Sequence, residues 1–147
     1  MGKKEAKTLV DICESRIRFS EVDSMGILWH GNYIKLFEDG RESWGLKYEM
    51  HYLNFYENKT VTPIIHTSID HKKVLRYGDT AIIETEYVDS PAAKIIYRYR
   101  IRRKSDNEIV AEGKTIQVFT DVDGNLMLTI PDFFMEWKRK QGLISED

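Results

Sequence analysis

Cysteine is nearly absent: Cys13 is the only one in 147 residues. A single thiol excludes an intrachain disulfide framework and any cysteine-cluster zinc site, and it fits a reducing compartment, so a cytoplasmic location is expected. No apolar run approaches the roughly 20 residues that cross a bilayer as a helix, and no membrane insertion is expected. The basic start Met1-Gly2-Lys3-Lys4-Glu5-Ala6-Lys7-Thr8 has no apolar segment behind it, which argues against a secretory leader. Ala6 stands where a myristoylation signal carries a hydroxyl residue. Excess charge of one sign is missing too. With 22 Lys and Arg against 24 Asp and Glu, the net charge is -2, too small for a general affinity for nucleic acid or anionic membrane. There is no internal repeat and no low-complexity linker, and the length suits one domain over residues 1–147.

What is present is a strand pattern, one dense loop, a helix pattern and then a series of strands. Ile12, Glu14, Arg16 and Arg18 alternate with Cys13, Ser15, Ile17 and Phe19, which predicts a first strand over residues 11–20 at an edge or with a half-exposed face. From Asn32 the period becomes helical. Tyr33, Leu36, Phe37, Gly40 and Trp44 share one face, and Lys35, Glu38, Asp39 and Glu42 lie opposite. Asn32 reads as the N-cap and Gly45 as the end, followed by an irregular or short helical segment to Asn58. Residues 61–74 read as a long strand entered at an edge behind Pro63, Tyr77-Gly78-Asp79 as a turn, and residues 80–88 as a strand. The clearest alternation follows, Ile95, Tyr97, Tyr99 and Ile101 against Arg98, Arg100 and Arg102. Ser105-Asp106-Asn107 turns the chain into a strand over residues 108–120, and Asp123-Gly124-Asn125 turns it again. Pro131 suits the first position of a C-terminal helix with Phe133, Phe134 and Trp137 inward and Lys138, Arg139 and Lys140 near its end. The order predicts an α+β fold, an antiparallel sheet on one main helix, with the uncovered face or edge open to a second copy.

The chemistry concentrates between Arg18 and Arg41. A carboxylate, a glycine turn, an imidazole and a Gly-Asn helix entry follow one another there. The first turn of a helix offers unpaired N–H groups and a partial positive charge, which suits an anionic or carbonyl group. The structural alternative is a helix cap beside a buried turn, with Asp23 satisfying local N–H groups as most loop aspartates do.

The run Glu21-x-Asp23-x-x-Gly26-x-x-x-His30-x-Asn32-Tyr33, with Phe37-Glu38-x-x-Arg41 behind it, resembles the signature of hotdog-fold thioesterases of the 4-hydroxybenzoyl-CoA thioesterase and YbgC-like family. The likeness extends more weakly through Tyr77-Gly78-Asp79 and the later strands. The resemblance implies a curved antiparallel sheet wrapped around one long helix, with protomers joined sheet edge to sheet edge, active sites at the dimer interface, and dimers pairing further. It implies hydrolysis of an acyl-CoA, or of an acyl thioester on a carrier protein, with no cofactor. Asp23 matches the catalytic carboxylate and Gly26 the turn after it. His30 and Gly31 occupy the helix start whose backbone amides polarise the thioester carbonyl, and the His30 amide is a firmer match than its imidazole. Gly26, Trp29, Asn32 and Tyr33 are the expected substrate contacts. Lys72, Lys73 and Arg76 are candidates for the CoA phosphates by charge alone. Other branches place the carboxylate in the helix, where Glu38 and Asp39 stand; their spacing puts them on the solvated face, with Lys35 a fitting i,i+4 partner for Asp39.

His66, Asp70 and His71 do not make a metal site, because on a strand His71 points away from the other two. The arginine stripe from Arg98 to Arg103 reads as a solvated strand face balanced by Glu84, Glu86 and Glu112. A non-catalytic acyl-thioester binding module on the same fold remains the alternative function.

Overall fold

The alternation that is clearest in sequence forms the middle of the sheet. The structure, a computed structural model, describes residues 8–144, so the amino-terminal residues read for targeting signals lie outside it up to Lys7. Its strands are β1 (Leu9–Arg16), β2 (Ile64–His71), β3 (Thr80–Val88), β4 (Lys94–Arg103) and β5 (Ile109–Val118). They form one sheet in the order β1-β3-β4-β5-β2, with every neighbouring pair antiparallel. In β4, Ile95, Tyr97, Tyr99 and Ile101 are buried, while Arg98 and Arg100 face solvent. Arg100 pairs across the outer face with Glu84 on β3 and Glu112 on β5, at 3.7 and 3.8 Å, so the arginine stripe is a charge-balanced strand face. β1 and β2 are the two edges, and β2 is exposed along its length except at Ile69.

Helix α1 (Asn32–Lys47) lies on the inner face, buried along Tyr33, Leu36, Phe37, Gly40 and Trp44. Two glycines set how closely it approaches. A Cβ at Gly40 would lie 2.5 Å from Thr85 Oγ1, and one at Gly113 on β5 would lie 2.5 Å from the Phe37 ring. The Phe37 ring instead stacks on Tyr99 at 4.3 Å. Burial raises the Tyr99 hydroxyl to about 12, and it is satisfied by Thr115 at 2.8 Å. A short helix, α2 (Tyr52–Glu57), follows α1, and α3 (Asp132–Lys140) closes the core with Phe134 and Trp137.

Several boundaries differ from expectation for identifiable reasons. β1 starts two residues earlier, at Leu9, and stops at Arg16, because Phe19–Glu21 forms a 3-10 turn in which the Glu21 carboxylate accepts from Arg18 N–H at 2.8 Å. Asn32 is the first residue of α1, not its cap; Gly31 holds the cap position. Gly45 does not end the helix, which continues to Lys47. It is glycine because a Cβ there would come within 2.7 Å of the Met50 carbonyl. Lys35 turns to Glu21 at 3.5 Å instead of to Asp39. Pro131 sits at the cap of α3, one residue before its expected place.

Lys138 is the largest departure. It lies among the basic residues at the end of α3, yet it is 2 % exposed. Its ammonium pairs with Asp89 at 2.9 Å and donates to the Ser90 carbonyl at 3.0 Å. Removing the acid alone strands a buried cation, whereas an apolar residue of similar length removes the charge altogether. Asp89→Ala is therefore expected to lower the urea midpoint more than Lys138→Met; the reverse order would contradict the pairing.

Candidate active site

The loop between the 3-10 turn and α1 is closed at its base by one residue. Glu21 is 6 % exposed, and its backbone carbonyl accepts from Trp29 N–H at 3.1 Å and from the Asn32 side-chain amide at 2.8 Å. Its carboxylate holds Arg18 N–H on one oxygen and faces Lys35 Nζ on the other. Within the loop, Val22 bridges Leu28, Leu28 N–H donates to the Leu75 carbonyl at 2.7 Å, and Ile27 bridges Arg76. These contacts explain why so apolar a loop is ordered: it forms a small extra layer against residues 75–77.

Asp23 sits on that layer. Its N–H donates to the Ile27 carbonyl and its own carbonyl accepts from Gly26 N–H, each at 2.9 Å. Gly26 has φ +77°, and nothing lies within 4 Å of a Cβ built there, so the turn needs glycine for its dihedral and not for space. The Asp23 Oδ1 accepts from Met25 N–H at 2.8 Å. That is the local turn contact expected of a loop aspartate. Oδ2 makes no hydrogen bond among the described residues.

Nine residues on, at Asn32, the chain enters α1. Asn32 N–H donates to the Trp29 carbonyl and Tyr33 N–H to the His30 carbonyl, at 2.9 and 3.3 Å. The two preceding amides, those of His30 and Gly31, have no acceptor among the described residues. Gly31 is the cap of α1 and His30 the residue before it, so both amides lie at the positive end of the helix dipole. The Trp29 indole lies across Gly31, 2.3 Å from where a Cβ would be, and 5.1 Å from the His30 ring. Trp29 and His30 are both exposed.

The remaining expected contacts divide. Arg76 is joined to the loop through Ile27, and its N–H is held by Asp79 at 2.7 Å. Lys72 and Lys73 lie beyond β2, their N–H groups on the Val110 carbonyl, and Lys73 pairs with Glu108 at 3.4 Å. Tyr33 is buried, with its ring edge-on to His71 at 4.8 Å, and burial raises its phenol above the ordinary value. Glu38 and Asp39 are both exposed on α1, Glu38 at the edge of a groove along the helix. Partial burial, opposed by Lys35, raises the Asp39 carboxyl from its ordinary value. Sequence reasoning missed a groove of about 1140 Å³ along α1, bounded by Glu38, Leu46, Tyr52, Phe55, Tyr56 and Tyr97. Its one visible signal was the aromatic density of residues 52–56.

The family model described as the thioesterase-like superfamily matches residues 17–138. The chain belongs to that superfamily. Membership makes it, at the level of the family, a thioester hydrolase. A Bacillus subtilis (strain 168) relative, named "Putative acyl-CoA thioesterase YneP", is 27 % identical over 124 residues, 84 % of this chain and 89 % of its own length. The DHNA-CoA thioesterase of Staphylococcus aureus superposes with a TM-score of 0.80 at 23 % identity, covering 91 % of this chain and 92 % of that one. The 4-hydroxybenzoyl-CoA thioesterase of Pseudomonas sp. strain CBS-3 does so at 0.76 and 23 % identity, covering 87 % and 98 %. The thioesterase thus has the hotdog fold, and its Asp23 loop and helix start lie inside the matched span.

Proposed function

We propose that this thioesterase hydrolyses an acyl-CoA to a free acid and CoA at the Asp23–Gly31 loop. One observation carries the reading: the unpaired His30 and Gly31 amides and the free Oδ2 of Asp23 belong to one short, internally bonded loop. The thioester oxygen accepts from these amides, and the helix dipole stabilises the oxyanion as it forms. Asp23 attacks the carbonyl carbon and expels the thiolate to give a mixed anhydride, which water then cleaves to the free acid and the Asp23 carboxylate, or it takes the proton of a water that attacks the thioester directly. The thiolate leaves without a strong general acid. Arg76 lies beside the loop and supplies positive charge for the CoA phosphates. The acyl group runs along α1 into the groove, which begins at Glu38, six residues or about 9 Å past the helix start. The exposed β2 edge, with Ile64 and Ile65 at 39 % and 57 % exposure, is the surface on which a second protomer adds its own edge.

The test is thiol release across a panel of acyl-CoAs, with light scattering on the same sample. Saturable turnover on at least one acyl-CoA and a mass twice 17.3 kDa, or a multiple of that, are expected. Saturable binding with no thiol released for any acyl-CoA would leave the binding module as the function.

A further inference from the structure

We infer that Asn32 is a positioning residue, whose side chain fixes the direction of the His30 and Gly31 amides from behind; the inference rests on the catalytic reading of that loop. A conventional helix opens on a residue whose side chain accepts from the first-turn N–H groups. This one does the opposite. Asn32 stands inside the helix, and its Nδ2 donates backwards to the Glu21 carbonyl at 2.8 Å, spanning eleven residues of sequence. No side chain caps the helix at Gly31, and the His30 and Gly31 amides have no acceptor among the described residues, so both are open to a substrate oxygen.

The same Glu21 carbonyl accepts from Trp29 N–H. The chain is therefore pinned immediately before and immediately after the two amides, at Trp29 and at Asn32, to a single oxygen. That oxygen is itself immobilised, because the Glu21 carboxylate is buried and is held by Arg18 N–H and Lys35. Two residues strung between two bonds to one fixed atom have little freedom to turn their N–H groups inward. Without the Asn32 bond the segment is fastened only at Trp29, and the Gly31 peptide can rotate toward the local carbonyls that an ordinary helix start uses. Asn32 acts through His30 and Gly31 and does not touch the reacting atoms.

Asn32→Asp keeps the shape and removes the donor, setting an oxygen against the Glu21 carbonyl. The expected result is a kcat lowered by about 10- to 100-fold, the scale of a donor displaced by an ångström. KM stays within about threefold, since the remote substrate contacts are unchanged. Amide hydrogen exchange at His30 and Gly31, read by NMR without substrate, changes in the variant while core amides of β4 do not. Where Asn32→Asp yields little folded protein, Asn32→Ala, a good helix former, carries the same measurements. A kcat within twofold of the parent, a loss carried by KM alone, or unchanged exchange at both amides overturns the inference; the second outcome would make Asn32 a direct substrate contact. Thiol release by the parent protein is measured alongside. Its absence fails the catalytic reading, whereas the exchange data still decide the clamp.

Discussion

Asp23→Asn is expected to fold and assemble as the parent does and to lose kcat for acyl-CoA hydrolysis by about 10²- to 10⁴-fold, the range of a removed general base. The substitution separates the two jobs that the side chain holds. Oδ1 accepts from Met25 N–H at 2.8 Å and stabilises the turn. An asparagine oxygen can accept the same bond, so the turn, the Gly26 dihedral and the approach to Leu75 survive. What asparagine cannot supply is a negatively charged oxygen at Oδ2. Unchanged thermal unfolding with lost turnover is therefore the expected pair of results. Asp39→Asn, on the outer face of α1, should leave turnover near that of the parent. If Asp23→Asn hydrolysed acyl-CoA normally while Glu38→Gln or Asp39→Asn were inactive, the carboxylate would lie in the helix, and the loop would be only a structural turn.

The parts of the fold that were legible in sequence are those set by neighbours a few residues away. The 2-residue period of β4 and the Tyr33–Trp44 stripe of α1 each declare which face is buried, and both are buried as expected. The edge positions of β1 and β2 followed from polarity and from Pro63. What was illegible depends on partners far along the chain. Lys138 is buried because Asp89 and Ser90, some fifty residues earlier, meet it at a turn. Lys35 chooses Glu21 over Asp39 because the loop folds back to bring a buried carboxylate to it, which helical spacing alone does not encode.

The candidate site shows the same division. Its composition and its helix-start amides were readable from the Asp23–Asn32 run, since unpaired N–H groups follow from any helix start. The direction of the Asn32 side chain was not. Asparagine beside glycine at a helix entry fits a cap equally well, and only the position of the Glu21 carbonyl, set by a 3-10 turn that alternation over residues 11–20 concealed, decides between them. The groove was out of reach for a further reason: its walls come from α1, α2 and the strands β4 and β5, and no local pattern announces that they converge.

Trp44→Ala is expected to be the most damaging change to stability and a mild one to chemistry. The residue is fully buried, and its ring meets Tyr48, Tyr87, Tyr97 and Trp137 with centroids 5.0 to 5.7 Å away. Its Nε1 donates to the Leu9 carbonyl at 3.0 Å, tying α1 to the start of β1. Truncating such a ring costs about 3–5 kcal/mol, a large share of the roughly 5–15 kcal/mol by which domains are stable. With a urea slope of about 1–3 kcal/mol per molar, the midpoint should fall by more than about 1 M. Trp44→Phe keeps most of the packing and loses the bond to Leu9, so its midpoint should lie between those of the parent and the alanine variant. Trp44 is twelve residues from Asn32, about 18 Å along the helix. The molecules that remain folded should therefore keep a kcat close to that of the parent, the opposite of Asp23→Asn. An alanine variant with an unchanged midpoint would mean that α1 is held to the sheet by its glycine contacts and Phe37, and not by this aromatic cluster.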